Sequence, residues 1–312
     1  MGAGCASVER RVGSGPEEHA QVDELSSVVG LLYQYADSVA LLALTALGLI
    51  IIFGLMGVIN MAHGEMMMIG AYITSFSYYA GIPVVVAILL GGLGAAGVGV
   101  VLERLIVRRF YGQLLSSLVA TWGLSLLLSQ GALLIFGPQI KTVPTPFGSF
   151  ALGDLSFSYY RIFLFVAAML LIAAVWIVFK YTRFGLHVRA TMEDPRMARA
   201  LGVETGRIYA LTFGIGTGLA GIAGGLFALT ATIGPFLGQN YTPQAFITVV
   251  VGGGANIFSG LIASVLSLAA VKTVFVSQFN ILIGHVAMLV VVILVIRLMP
   301  TGISGWIEKR RL

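Results

Sequence analysis

Residues 39–65, VALLALTALGLIIIFGLMGVINMAHGE, decide the fold. From Val39 to Gly57 the stretch is apolar almost without interruption, close to the ~20 residues that cross a bilayer core at ~1.5 Å per residue. Asn60, His63 and Glu65 then bring in a carboxamide, an imidazole and a carboxyl group, after which Met66–Ala80 carries no charge. An ionisable group at membrane depth costs ~2.5–3.5 kcal/mol on insertion scales, so it faces a polar path or a partner. Asn60, His63 and Glu65 are therefore candidates for lining or gating a polar pathway. The competing reading is a self-satisfied His63–Glu65 pair at a membrane interface.

The rest of the chain agrees with a membrane setting. It is 58% apolar and 10% charged, with a mean hydropathy of +0.98, against roughly 25% charged residues in soluble domains. Its apolar runs are long and continuous, which implies helices and not the alternating ~10-residue segments of a barrel. Cys5 is the only cysteine, so no internal disulfide forms, and no Cys/His spacing suggests a metal. The sequence has no phosphate-binding loop, no His-Glu-x-x-His and no Gly-x-Ser-x-Gly, so nothing points to an enzyme and any ATP use needs another subunit. The net charge of +5 follows from topology and does not call for a nucleic-acid partner. Residues 1–27 read as a polar, disordered tail without the apolar core of a signal peptide, and residues 28–312 as one membrane domain.

The apolar segments are Val39–Gly57, Glu65–Ala80, Pro83–Val107, Leu114–Phe136, Arg161–Phe179, Tyr209–Thr230, Ala245–Lys272 and Ile281–Leu298. Lysine and arginine assign the sides. Arg104, Arg108 and Arg109 follow the third segment, six basic residues lie from Lys180 to Arg207, and Arg297, Lys309, Arg310 and Arg311 close the chain. All three places are expected in the cytoplasm, with the nearly uncharged segments 137–160 and 233–244 outside. Loop 180–208 and the C-terminus share a side only if Ala245–Lys272 crosses twice or re-enters, and Gly252-Gly253-Gly254 supplies a break. Irregular backbone at depth is tolerated only inside protein or along a water-filled cavity, which reads Phe246–Val251 as a half-helix near the pathway. The expected fold is all-α: a polytopic membrane protein of roughly eight to ten transmembrane helices with broken or re-entrant segments.

Two parts of the chain echo each other. Each has an apolar helix, a polar break (60–65 and 234–244) and a glycine-rich helix (91–99 and 252–260), as in transporters built from repeats. In the second break, Gly and Pro accompany Gln239, Asn240, Tyr241 and Gln244, neutral hydrogen-bonding groups suited to a polar solute; the alternative is an ordinary hairpin. Asn240, Tyr241 and Gln244 join the pathway candidates. The ladder Gly214, Gly216, Gly218, Gly221, Gly224, Gly225 predicts a face for close helix approach. Met66–Met68 reads as packing. In the charged loop 180–208, Arg189–Gly202 reads as a short amphipathic helix with Met192, Met197, Ala198 and Leu201 as apolar contacts, able to dock in a partner's groove.

Together these residues resemble the membrane permease subunit of bacterial ABC importers for branched-chain amino acids and, in a sister branch, urea. The resemblance runs from about Leu41 to Leu298 and rests on Gly57-Val58-Ile59-Asn60-Met61-Ala62-His63-Gly64-Glu65 with Ile69-Gly70-Ala71-Tyr72. It rests further on Arg189-Ala190-Thr191-Met192-Glu193-Asp194 through Ala200-Leu201-Gly202-Val203 and on Ala210-Leu211-Thr212-Phe213. It implies a multi-pass inner-membrane importer subunit without a cofactor of its own. Its implied partners are a second permease subunit, a periplasmic solute-binding protein and cytoplasmic ATPases that bind ATP and magnesium. Loop 189–202 becomes the coupling element, with Glu193, Asp194, Arg196, Ala198, Leu201 and Gly202 at the ATPase. Gly234–Tyr241 looks more like the urea branch, while Pro243-Gln244 departs from it, so urea, a short amide and a branched-chain amino acid all stay open. An ATP-independent channel or secondary transporter for a small polar solute is the alternative function.

Overall fold

The computed structural model describes residues 16–152, 155–254, 256–299 and 302–309. The first fifteen residues of the polar tail lie outside the described residues, and helix α1 (Pro16–Met56) opens within the remainder of that tail. There follow α2 (His63–Tyr79), α3 (Val84–Leu105), α4 (Leu114–Phe136), an antiparallel hairpin β1 (Ser149–Leu152) and β2 (Leu155–Ser158), and α5 (Tyr159–Tyr181). The second half holds α6 (Arg183–Glu193), α7 (Pro195–Ala200), α8 (Thr205–Phe227), α9 (Leu237–Gly252), α10 (Ile257–Gln278), α11 (Ile281–Leu298) and α12 (Gly302–Lys309).

Seven of the described helices are long and apolar enough to cross a membrane: α1, α3, α4, α5, α8, α10 and α11. Helices α2 and α9, with 17 and 16 residues, span only about 24–26 Å and fall short of the ~30 Å hydrocarbon core. The most apolar stretches of α1 and α8 are 83% buried, against 22% for α5 and 17% for the α11 segment. So α1 and α8 are the protein-enclosed core, and α4, α5 and α11 form the outer rim with leucines such as Leu127, Leu170 and Leu282 turned outward. As the glycine spacing predicts, α8 is the hub of close contacts: it meets α1 at Gly216, α3 at Gly218 and Gly221, and α2 at Gly224. Met66, Met67 and Met68 are core packing, at most 2% exposed.

The basic residues fix the sides. Arg104 near the end of α3 and Arg108 just beyond it gather with Arg199 and Arg207 at one end of the molecule, the end that the excess of basic residues assigns to the cytoplasm. At the other end the Tyr33 hydroxyl bonds the Ser158 backbone, and Arg161 pairs with Asp37. Helix α1 therefore runs inward and reaches the cytoplasmic end at Met56. The chain then turns back. His63 Nε2 meets the Thr45 carbonyl at 2.9 Å, and Thr45 lies eleven residues before Met56, about 16 Å along the helix. From that mid-depth start α2 climbs outward, where the Tyr79 hydroxyl bonds the Thr142 carbonyl.

The second half repeats this upside down. Helix α8 runs outward to Phe227, residues 228–236 fold back, α9 runs inward to Gly252, and α10 sets off outward again. The packing carries the same symmetry: α1 packs on α9 and α10 as α8 packs on α2 and α3. On the approximate two-fold axis, Gly48 of α1 faces Gly216 of α8, and Gly64 of α2 faces Gly238 of α9.

Three expectations need correcting. Ala245–Lys272 is not one segment: it falls on α9 and α10, parted at Gly253–Gly254 as the glycines suggest. The half-helix is longer than Phe246–Val251 and starts at Leu237, so Gln239, Asn240, Tyr241 and Gln244 lie on a helix and not in an outward loop. Gly238 and Pro243 looked like breakers, yet both sit within α9. Gly238 is there because the Gly64 backbone leaves no room for a side chain, and Pro243 occupies an exposed helix position. Third, Arg189–Gly202 is two helices, not one, because Pro195 lacks an N–H and forces Asp194 into extended backbone (φ −147°, ψ 104°).

Candidate functional site

The break before α2 gathers polar groups at mid-depth. Asn60, His63 and Glu65 are each at most 1% exposed. Asn60 Oδ1 accepts from the Ala62 N–H at 3.1 Å and turns the chain into the helix. His63 Nε2 donates to the Thr45 carbonyl, since a carbonyl only accepts, so the other ring nitrogen, Nδ1, is the one left to act on a neighbour. The Glu65 carboxyl lies beside Ser125 of α4, while Met61 N and the Ile59 carbonyl both use the Thr121 hydroxyl. Three atoms are left without a partner in this shell: Asn60 Nδ2, His63 Nδ1 and Glu65 Oε2. An unmet buried donor or acceptor costs about 1–3 kcal/mol, so a polar partner at these atoms would be stabilising. The self-satisfied His63–Glu65 pair of the competing reading does not form.

Helix α9 brings its own start to the same place. A side chain at Gly64 would strike Thr242 and the Gly238 carbonyl, and one at Gly238 would strike the Gly64 backbone. Two helix N-termini thus abut at mid-depth, and the partial positive ends of both helix dipoles meet there. The other sequence candidates are spread along α9 and do not join this cluster. Asn240 is exposed, Gln244 Nε2 lies 3.3 Å from His285 Nε2 of α11, and Gln239 reaches Ser129 of α4 at 3.5 Å. Tyr241 stacks on Phe227, centroids 4.8 Å apart at 19°, and faces the outer side.

Tyr241 opens on a site that the sequence reading passed over. A cleft of about 420 Å³ at the outer end is lined by Asp37 of α1, Arg161 of α5, Lys272 of α10 and Tyr241, with apolar walls that include Leu41, Leu164 and Phe227. Arg161 Nη1 donates to Asp37 Oδ2 at 2.6 Å, and Lys272 is 8% exposed. In the sequence these charges mark the edges of apolar segments. The separation of 124 positions between Asp37 and Arg161 hides their pairing.

At the cytoplasmic end, α7 is capped at both ends. Asp194 Oδ1 accepts from Arg196 N at 2.7 Å and Met197 N at 3.1 Å, and those two bonds hold its carboxyl below the usual carboxylate range. Val203 N returns to the Ala198 carbonyl and Gly202 N to the Arg199 carbonyl, a closure that needs Gly202 at φ +87°. Of the six coupling candidates, Glu193, Asp194, Arg196, Leu201 and Gly202 are exposed, whereas Ala198 is 2% exposed and packs inside the subunit. Met197 and Leu201, 59% and 76% exposed, carry the apolar face instead. Nearby, the Tyr111 hydroxyl bonds Glu103, and burial pushes its phenol up.

The chain matches the family model described as branched-chain amino acid transport system / permease component over residues 31–299. It is 31% identical over 283 residues to the high-affinity branched-chain amino acid transport system permease protein LivH of Escherichia coli strain K12, covering 84% of this chain and 91% of that protein. The corresponding protein BraD of Pseudomonas aeruginosa is 31% identical over 280 residues, with the same coverage. The permease protein LivM of E. coli strain K12 matches at 27% over 247 residues, 70% of this chain and 58% of that protein. No solved structure matches.

Proposed function

The chain belongs to the family of branched-chain amino acid transport system permease components, and on that premise we propose that it is one of two permease subunits of an ATP-driven importer in the bacterial inner membrane. It is a multi-pass transmembrane permease subunit and not an enzyme. Its cargo is a branched-chain amino acid, the solute in the names of LivH and BraD; the leaning towards urea finds no support in these matches. LivH and LivM are two different permease proteins of one named system in E. coli, which favours a second, related permease subunit as the other half of the pore. A periplasmic binding protein delivers the solute, and cytoplasmic ATPases seat α6 and α7.

The observation that carries the mechanism is the abutting pair of half-helices with three unpartnered polar atoms beside them. Broken helices of inverted repeats at the bilayer midplane are where transporters hold solute. Asn60, His63 and Glu65 gate that point, Tyr241 lies on its outer side, and Asn240 and Gln244 follow along α9. ATP binding on the partner moves α6 and α7, and α8, joined to them directly, passes the movement to α2 and α9.

Uptake of labelled leucine and labelled urea, in cells lacking this chain and after its return, tests the reading. Leucine uptake should return with the chain, disappear when the ATPase subunits are removed, and fall with Glu65→Ala while the subunits still co-purify. Uptake that survives without any ATPase makes the protein a channel or secondary transporter. Return of urea uptake alone reassigns the cargo.

A further inference from the structure

We infer that the outer cleft between α1, α5, α9 and α10 is a binding site for the free amino acid as a zwitterion, with Lys272 taking its carboxylate and Asp37 its ammonium group. The inference rests on the amino-acid import reading and extends it with a location and a mode of recognition.

The charge count is the first support. The cleft is lined by one carboxyl side chain, Asp37, and two basic ones, Arg161 and Lys272. Arg161 and Asp37 hold each other. Lys272 lies within electrostatic reach of both, yet it forms no hydrogen bond or ion pair among the described residues. A lysine more than nine-tenths buried and turned into a cavity without a bonded partner is a standing demand for an anion. An uncharged solute such as urea offers it a hydrogen-bond acceptor but no negative charge. The α-carboxylate of an amino acid supplies one, and the same molecule brings an ammonium group for Asp37 Oδ1, the oxygen that Arg161 leaves free.

Shape and position agree. About 420 Å³ lies within the ~300–1,000 Å³ of small-molecule sites. Leu164, Phe227 and Val276 offer an aliphatic side chain a dry wall. The cleft opens where a solute arrives from outside. Its lining comes from α1 and α5 and from α8, α9, α10 and the start of α11, so inward movement of α9 reshapes the site as it opens the path beyond.

Ligand binding to the assembled importer, purified with its partner subunits in detergent and without any binding protein, tests this by saturation-transfer NMR. The probes are leucine, leucinamide, which lacks the carboxylate, and 4-methylpentanoate, which lacks the ammonium group. The wild-type assembly should favour leucine over both. Lys272→Met should weaken leucine by about 10- to 100-fold, the equivalent of one lost charge-assisted hydrogen bond, and Lys272→Arg should retain it. Asp37→Asn should shift preference towards 4-methylpentanoate, a reversal that a purely structural ion pair does not produce. Equal binding of leucine and leucinamide to the wild type overturns the inference even if the variants fail to fold. So does displacement of nothing but anionic lipid, which makes the cleft a headgroup site. Wild-type assembly that binds leucine in this way but, reconstituted into sealed vesicles with ATP and the binding protein, imports none fails the import reading instead, a separate result.

Discussion

Asp194 shows how one side chain shapes a contact surface without touching a partner. Its carboxylate caps α7 through Arg196 N and Met197 N, and those bonds hold it below the ordinary range for an aspartate, near 4. A depressed folded value means that the cap's contribution is complete above the ordinary value and is lost as pH falls through the depressed one. Amide hydrogen exchange over Met197–Leu201, corrected for intrinsic rates, should show full protection at about pH 6 and lose it only once pH falls below the ordinary aspartate value of about 4. Asp194→Asn, a good cap that does not titrate, should flatten that profile, and Asp194→Ala should lose protection throughout. A profile that Asp194→Asn leaves unchanged removes the carboxylate from the cap. Caps are local, so Asp194-Pro195 opening and Gly202 closing a six-residue helix lie in order in the chain, but reading 189–202 as one helix passed over the opening. Asn60, His63 and Glu65 were legible as neighbours in the chain set against an apolar background. The outer charges were not. Asp37, Arg161 and Lys272 come together only once three distant helices have packed.

At the scale of elements, α2 and α9 depend on having no side chain where they meet. A methyl group at Gly238 would overlap the Gly64 carbonyl, and backbone there has nowhere to move, since α8 packs on α2 at Met67 and Gly224. Gly238→Ala should therefore part the half-helices at a cost of ~1–3 kcal/mol or more and abolish uptake. Gly97→Ala in α3, where an added methyl meets nothing within 4 Å, should leave uptake intact; equal activity of the two variants would dismiss the contact. This contact also explains why residues 233–244 misled. Glycine and proline read from sequence as loop formers, but the same glycine serves close approach between helices, and only the partner across the interface tells the two apart. The split of 189–202 had a visible cause in Pro195, while the length of α9 had none.

The whole molecule turns on inversion. A long helix, a break and a short helix recur in the two halves, and the sequence pattern catches this only in part. Residues 252–260 span the turn between α9 and α10 and are not a glycine-rich helix, and most of 234–244 belongs to α9. Whether the copies lie parallel or inverted is a matter of how many times the chain crosses in between, and short helices such as α2 and α9 blur that count. Side-chain labelling decides it. Cys5 is the only native cysteine, so Cys5→Ser gives a blank background. Ala80→Cys in the exposed turn between α2 and α3, and Gly254→Cys in the exposed turn between α9 and α10, occupy corresponding places in the two halves. With inverted repeats, a membrane-impermeant maleimide should reach Ala80→Cys only from outside and Gly254→Cys only from the cytoplasmic face. Parallel repeats put both on one face. That outcome would also unseat the mid-depth meeting of the half-helices, because two helices entering from the same side cannot abut at their N-termini while running in opposite directions.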